Sequence, residues 1–252
     1  MGKIGGVLFL LVSAAILAAV GARTLPSYIT ICKRTNKDDF LKCALKNTVD
    51  VQPHIANGIP ELVIPPMDPL NIPEIVLEQG TQAINYKCVL TNVKLHGLSD
   101  YKFSALDAGI DDKKFITGKV RFPVLYVESD YEIDGKFLLV PIKGKGLYKG
   151  NFTNVIADID ISAELVDRKG KQYLNVHDAK VKLDVGKSVG HFDNLFNGDS
   201  TLAQATNRFL NENSKDLQDE TLPAVVEVVQ ALVKQILNKV FEALPYDELF
   251  PK

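Results

Sequence analysis

The feature that most restricts how this chain can fold is its last long helical segment, which is apolar on almost every side. Between Pro223 and Leu244 the apolar residues cover most of a helix circumference: Val225, Val226, Val228, Val229, Leu232, Val233, Ile236, Leu237, Val240, Phe241 and Leu244. A helix of this kind must be buried nearly all round in water. Glu227 and Lys234 make it too polar for a membrane span. We expect another element to enclose it, with Pro223 in its first turn and Pro245 just beyond its end.

The middle of the chain predicts the enclosing element, because from about Thr81 to Val185 apolar and polar residues alternate as in half-buried strands. The alternation is clearest at Val155, Ala157, Ile159, Ile161, Ala163 and Leu165. Asp134-Gly135 and the stretch 167–170 have the composition of hairpin turns. The simplest arrangement is a long, curved antiparallel sheet rolled around the last helix.

The flanking segments predict further helices and a linker. Asp38 and Asp39 can cap a first helix that runs towards Asn57, and the helical period returns from Thr201 to about Leu217. Between them, the prolines in 59–75 exclude both helix and central strand and favour an extended linker. These elements predict an α+β fold for residues 23–252, and the length fits one large domain or two small ones.

The first 22 residues are expected to be a cleaved secretory signal. Lys3 precedes an apolar run from Ile4 to Val20, and Val20-Gly21-Ala22 has the small residues that precede a signal cleavage site. The run is shorter than the ~20 residues that span a bilayer. We therefore expect a secreted, extracellular protein that begins near Arg23, is not integral to a membrane and is a monomer.

Secretion favours disulfides, and the chain has three cysteines. Cys32 and Cys43 lie close together in one N-terminal segment, so we expect them to pair. Cys88 is then unpaired, and its apolar strand neighbours favour a buried, inert thiol. Asn151-Phe152-Thr153 is an N-glycosylation sequence, which we expect on a surface turn.

Charge and motifs exclude several function classes. With 29 basic and 31 acidic residues the net charge is -2, which leaves no excess to bind a nucleic acid. The histidines show no metal-ligand spacing, and the partial calcium-loop pattern at 158–163 lacks its glycine. Gly186-Lys187-Ser188-Val189-Gly190 matches a nucleophile elbow, but no acid lies between Ser188 and His191. We expect no metal, no cofactor and no catalysis, and interpret 186–190 as a flexible turn.

A sheet wrapped around an apolar helix can leave an internal tunnel for a lipid-like ligand, and a fully packed core is the equally weighted alternative. The predicted lining is Val226, Val229, Val233 and Ile236 on the helix, and Phe122, Leu125, Tyr131, Leu138, Val140, Ile159 and Ile161 on the sheet. Tyr131 is the expected polar contact.

Several short motifs resemble the insect takeout and juvenile hormone-binding protein family. They are LFNGD at 195–199, NRFLNEN at 207–213, PYDELFP at 245–251, NVKLHGLS at 92–99 and LVPIKGKG at 139–146, together with the pair Cys32 and Cys43. Two features differ. Ser214 stands where takeout proteins usually have Trp, and one unpaired Cys88 cannot form the second disulfide of the narrower hormone-binding type. The resemblance therefore favours the takeout branch.

The resemblance implies a long helix wrapped by a strongly curved antiparallel sheet, related to tubular lipid-binding domains. It also implies a secreted carrier of a hydrophobic ligand such as a juvenile hormone-like terpenoid, a fatty acid or another lipid. Family roles include feeding, circadian output, chemosensation and development. The alternatives are an extracellular esterase that uses Ser188, and a ligand-free secreted signalling or interaction protein.

Overall fold

The computed structural model describes residues 25–80, 84–109, 114–137 and 140–252, so the proposed signal at 1–22 and Leu138 lie outside the described residues. Helix α1 spans Lys37–Ile55. The strands that follow are β1 (Leu70–Gly80), β2 (Ile84–His96), β3 (Lys102–Gly109), β4 (Lys114–Phe137), β5 (Val140–Arg168) and β6 (Lys171–Phe192). The chain then forms helices α2 (Ser200–Glu212), α3 (Ser214–Ala243) and α4 (Tyr246–Leu249). No described helix has the length and apolarity needed to cross a membrane.

All strands of the sheet pair antiparallel, in the order β1-β2-β4-β5-β6, and β3 pairs with the first part of β4. Helix α3 packs along β6 and also contacts β1, which are the two ends of that strand order. The sheet must therefore curl until both edge strands reach the same helix. This confirms the predicted architecture of a long C-terminal helix within a strongly curved antiparallel sheet.

Helix α3 is longer and less deeply buried than the sequence indicated. It begins at Ser214, so Pro223 lies inside the helix rather than in its first turn. Pro223 is exposed, which places the missing backbone hydrogen bond on the solvent side, where water can replace it. Of the α3 residues, all of them described, only Phe241 is fully buried. The reason is that α3 bridges the two edges of the sheet, so one side of the helix faces solvent.

The ends of the other elements also differ from prediction. The N-cap of α1 is Asn36, whose side-chain oxygen accepts a hydrogen bond from the Asp39 amide at 3.1 Å, and Asp38 and Asp39 lie in the first turn. The linker is shorter than predicted, because β1 already starts at Leu70. Pro73 is tolerated there because β1 is an edge strand, where a missing N–H interrupts no ladder.

One predicted hairpin is confirmed and the other is wrong. Lys169 and Gly170 have positive φ angles of 56° and 78° between β5 and β6, as a tight hairpin requires. Asp134-Gly135 instead lies inside β4, and the chain reverses between Phe137 and Val140, which pair with each other. A Cβ at Gly135 would lie 2.4 Å from the Cα of Tyr86, so this glycine permits close strand contact rather than a turn.

Side-chain amides cover the free edge of β6. They belong to Asn207 and Asn211 on α2 and to Gln230 and Asn238 on α3, and we call them the amide ladder. Their partners are backbone groups of Phe192, Gly190, Val181 and Val176, at 2.7 to 3.1 Å. An exposed strand edge would offer these groups to another chain. The helices thus replace the strand that would otherwise pair there.

Two clusters of buried residues divide the interior. The closed end contains Leu70, Ile72, Tyr86, Cys88, Leu90, Val93, Tyr131, Ile133, Ile142, Leu195 and Leu210. The cavity end contains Ile161, Leu174, Val176, Ala179, Phe241, Leu244, Tyr246 and Leu249, next to Phe40, Cys32 and Ala108 on the N-terminal side. Between these ends, the inward positions of β5 change from even numbers to odd ones near Asn154, which has a positive φ of 53°.

Candidate ligand cavity

An apolar cavity of about 130 Å³ lies at the cavity end. Helix α1, strands β3, β4, β5 and β6 and the C-terminal segment all contribute to its wall. The lining residues are almost all apolar: Phe40, Ala44, Leu106, Ala108, Gly109, Lys114, Phe115, Ile116, Ile161, Ala163, Leu174, Phe241, Tyr246 and Phe250. Such a site can enclose an apolar group and contains little that could react with it.

The C-terminal segment forms one wall of this cavity. Helix α4 is a single turn between Pro245 and Phe250, and it buries Tyr246. The rings of Phe40 and Phe250 meet edge to face with their centroids 5.5 Å apart. The amide of Arg34 donates to the Pro251 carbonyl at 2.8 Å, which fixes the end of the chain against the N-terminal segment. The PYDELFP motif therefore closes the cavity by packing.

The N-terminal segment is attached by the predicted disulfide. Cys32 and Cys43 are bonded, with their Cα atoms 5.6 Å apart, which confirms the predicted pair. The side chain of Asn47 adds hydrogen bonds to both the amide and the carbonyl of Thr30, at 2.9 and 2.7 Å. The irregular segment before α1 is thus held on the helix that covers the cavity.

Charged residues at this end are mostly neutralised in pairs. Arg34 binds Asp247, and its guanidinium lies 4.4 Å from the centroid of the Tyr246 ring. Lys37 binds Asp107 at 2.8 Å. The hydrogen bond from Lys37 lowers the pKa of Asp107, with help from the Ala108 amide and against a smaller effect of desolvation. Asp107 therefore stays ionised at neutral pH and keeps Lys37 engaged.

The structure distributes the predicted lining residues over the whole interior. Ile161 is 1% exposed and lines the cavity, and Val233 packs beside it in the same cluster. The others are partly buried away from it: Phe122, Leu125, Val140 and Ile159 on the sheet, and Val226, Val229 and Ile236 on α3. Their assignment as ligand contacts stays a prediction, as does that of Leu138.

Tyr131 lies at the closed end, where its hydroxyl already has a partner. It donates to the Asp193 carbonyl at 2.6 Å, so it can offer a ligand only its acceptor lone pairs. Gly144 and Gly146 make this contact possible, because a Cβ at Gly144 would lie 2.8 Å from the Tyr131 hydroxyl and one at Gly146 would lie 2.5 Å from the Asp193 carbonyl oxygen. Two glycines of the LVPIKGKG motif thus allow the chain after β6 to lie on β5.

The structure does not bring the suggested hydrolytic residues together. Residues 186–190 continue β6 as an extended strand rather than forming the predicted turn, and Ser188 accepts a hydrogen bond from the Gln218 amide at 2.7 Å. His191 is three residues further along the strand, so it points to the opposite face, where it lies 3.0 Å from Asp193. His191 is therefore not placed to act as a base for Ser188.

Asn151 and Cys88 occupy strands rather than turns. Asn151 is exposed in the middle of β5, paired with Tyr126 and Val189, so the predicted turn is wrong and its glycosylation stays a prediction. Cys88 is unpaired and 5% exposed, and burial raises the pKa of its thiol to about 12, which confirms a buried thiol that stays protonated. The described residues contain no group of His, Cys, Asp and Glu side chains placed to hold a metal ion.

Sequence reasoning missed most of the cavity wall. Phe40, Ala108 and Phe241 come from three separate parts of the chain, and no periodicity in one segment could join them. The sequence could have indicated Lys114, because a residue two positions before the inward-facing Ile116 lies on the same face of the strand.

Comparisons with known proteins agree with this architecture. The family model of haemolymph juvenile hormone binding protein matches residues 7–251. The chain belongs to this family, which includes the takeout proteins. Members are carriers of hydrophobic ligands.

Individual relatives extend over most of the chain. The circadian clock-controlled protein daywake of Drosophila melanogaster is 28% identical over 266 residues, covering 99% of each chain. A putative beta-carotene-binding protein of Schistocerca gregaria is 21% identical over 215 residues, covering 84% of each. The crystal structure of Epiphyas postvittana Takeout 1 matches with a TM-score of 0.72 at 22% identity, over 86% of this chain and 97% of that one. This likeness shows the takeout fold.

Proposed function

We propose that this chain is a secreted carrier that binds a hydrophobic small molecule in its interior, with the apolar cavity as one end of the binding site. The observation that carries the proposal is the cavity itself, which is lined almost entirely by apolar residues from α1, the sheet and the C-terminal segment. One relative is named a putative beta-carotene-binding protein, and members of the family carry hydrophobic ligands. A concave apolar site built from several elements is also typical of a pre-formed ligand site.

A whole terpenoid or fatty acid needs more space than this cavity provides. About 130 Å³ is close to an engineered cavity that binds benzene, whereas drug-sized ligands occupy roughly 300 to 1,000 Å³. Apart from the buried Phe241, the large apolar residues of α3 are half-buried, including Val233, Leu237 and Val240 beside the cavity. We therefore propose that the ligand extends from the cavity along α3, where these side chains can change rotamer to admit it.

The direct test combines identification of the ligand with blocking of the cavity. The full chain is expressed in insect cells and purified from the medium, its N-terminus is sequenced, and extracted lipids are identified by mass spectrometry. We expect secretion, a mature end near Arg23 and a co-purified apolar molecule. Delipidated protein should then bind the neutral fluorescent probe N-phenyl-1-naphthylamine.

Ala163→Phe places a ring in the cavity and should weaken probe binding about tenfold or more, at an overpacking cost of about 1 to 3 kcal/mol. Ala231→Phe on the exposed side of α3 is the matched control, and it should bind as wild type does. Val233→Phe tests the extension along α3. If folded Ala163→Phe binds the probe with wild-type affinity, the cavity is not part of the site.

A further inference from the structure

The charged residues around the cavity differ in whether they are paired with an opposite charge. Arg34 is neutralised by Asp247, Lys37 by Asp107 at 2.8 Å, and on the neighbouring α4 Glu248 by Lys171 at 3.0 Å. None of these six residues is among those that line the cavity. Lys114 is the cation that lines the cavity itself.

Lys114 has no carboxylate partner within residues 25–80, 84–109, 114–137 and 140–252. It begins β4 and is in phase with Ile116 and Val120, so its side chain is directed to the inner face of the sheet. It is half-buried, and its Nζ lies 5.4 Å from the centroid of the Tyr246 ring. The aromatic face stabilises the ammonium in part, and none of the described residues that line the cavity is Asp or Glu.

We propose that Lys114 binds the carboxylate of an anionic amphiphile whose apolar chain occupies the cavity. This inference rests on the function proposed above and names the chemical class of the ligand. A partly desolvated ammonium that no described carboxylate pairs with favours an anion strongly, because the charge-assisted hydrogen bond then replaces lost hydration. Three donors on a flexible stem let the ammonium follow a carboxylate at the cavity mouth while its methylenes stay within the apolar lining.

The proposal separates free acids from their neutral esters and alcohols. A methyl ester offers only weak acceptor oxygens to Lys114, and its extra methyl group must be placed at the charged end of the site. An acid of the same chain length keeps every apolar contact and adds one ion pair. Head-group charge, rather than chain shape, should therefore decide affinity at this end.

Competition against N-phenyl-1-naphthylamine on delipidated full-length protein tests this. Hexadecanoic acid should displace the probe about tenfold more tightly than methyl hexadecanoate or hexadecanol at neutral pH, the range expected for one hydrogen bond to a charged group. Lys114→Gln and Lys114→Met should remove this preference and leave ester affinity unchanged, and Lys114→Arg should keep it. Lys119→Gln is the matched control, because Lys119 lies on the other face of β4, exposed and paired with Asp158 at 3.1 Å.

The possible failures are distinguishable. If acid, ester and alcohol all bind wild type equally, or if Lys114→Gln keeps the preference for the acid, the assignment of Lys114 is overturned while the carrier function stands. If neither the probe nor any competitor binds wild type, the carrier function fails, and the assignment fails with it.

Discussion

The closed end and the cavity end are built on the same sheet, but their side chains pack differently. At the closed end the rings of Tyr131, Phe192 and Tyr148 are in contact, with centroid distances of 4.9 and 4.6 Å along the series. The Tyr131 hydroxyl is bonded to the backbone there. At the cavity end the rings of Phe40, Phe250 and Tyr246 meet around a space that they do not fill.

The difference shows what fixes each end. The amide ladder runs along β6 at both ends, with Asn207 and Asn211 on Phe192 and Gly190 at the closed end and Asn238 on Val176 at the cavity end. The cavity end is held in addition by a covalent link and by ion pairs at its rim, which stabilise a wall without filling the space behind it. Stability and binding should therefore respond to mutation at different ends.

The largest expected effect is on the amide ladder at the closed end. Asn207 is 6% exposed and bonds both the amide and the carbonyl of Phe192, at 2.8 and 2.9 Å. Asn207→Leu leaves two buried backbone groups without partners and should lower the free energy of unfolding by about 3 kcal/mol in urea titrations. Asn71→Leu, at an exposed position, should change it by less than about 0.5 kcal/mol. The folded Asn207→Leu variant should bind the probe with wild-type affinity. A tenfold loss of affinity would show that a change at the closed end affects ligand binding.

A similar effect is expected from the disulfide at the cavity end. Cys32 and Cys43 are 11 residues apart, so replacing both with Ser should cost about 2 to 3 kcal/mol in the chain-entropy model. Hydrogen exchange should show which region loses stability. We expect faster exchange in α1 and unchanged protection around Ile142. Equal loss of protection at both ends would contradict a separate role for the N-terminal attachment.

A smaller effect is expected at Tyr131. Tyr131→Phe removes the hydrogen bond to the Asp193 carbonyl and should cost about 1 kcal/mol. Tyr173→Phe, on the half-buried β6 hairpin, is the control and should be nearly neutral. Because Tyr131 lies at the closed end, we expect less than a twofold change in probe affinity, and a larger loss would place the ligand there as well.

The sequence predicted the fold well because its signals are local and agree with one another. Three local signals predict the same architecture: the alternation in β5, the apolar surface of α3 and the turn at Lys169-Gly170. The cavity depends instead on where distant segments meet. Pairing of β4 with β5 places Lys114 beside Ala163, and the C-terminal turn brings Tyr246 over it, which no single window of sequence contains. The exchange of inner and outer positions near Asn154 likewise requires the backbone angle to be known.

The smallest expected effect is chemical labelling of Cys88, which tests how tightly the closed end is packed. Burial raises the pKa of this thiol from 9.0 to about 12, so the folded protein keeps it protonated where an unfolded chain would ionise. Since the folded state binds this proton more tightly, its contribution to stability is complete below pH 9 and is lost as the pH rises from about 9 towards 12. At pH 8 a disulfide reagent such as DTNB should label no thiol in native protein and one in urea. Cys88→Ala should abolish the urea signal, which assigns it. Rapid labelling of the native protein at pH 8, at a rate above that of unfolding, would mean that the closed end opens as readily as the cavity end, and the distinction between them would fail.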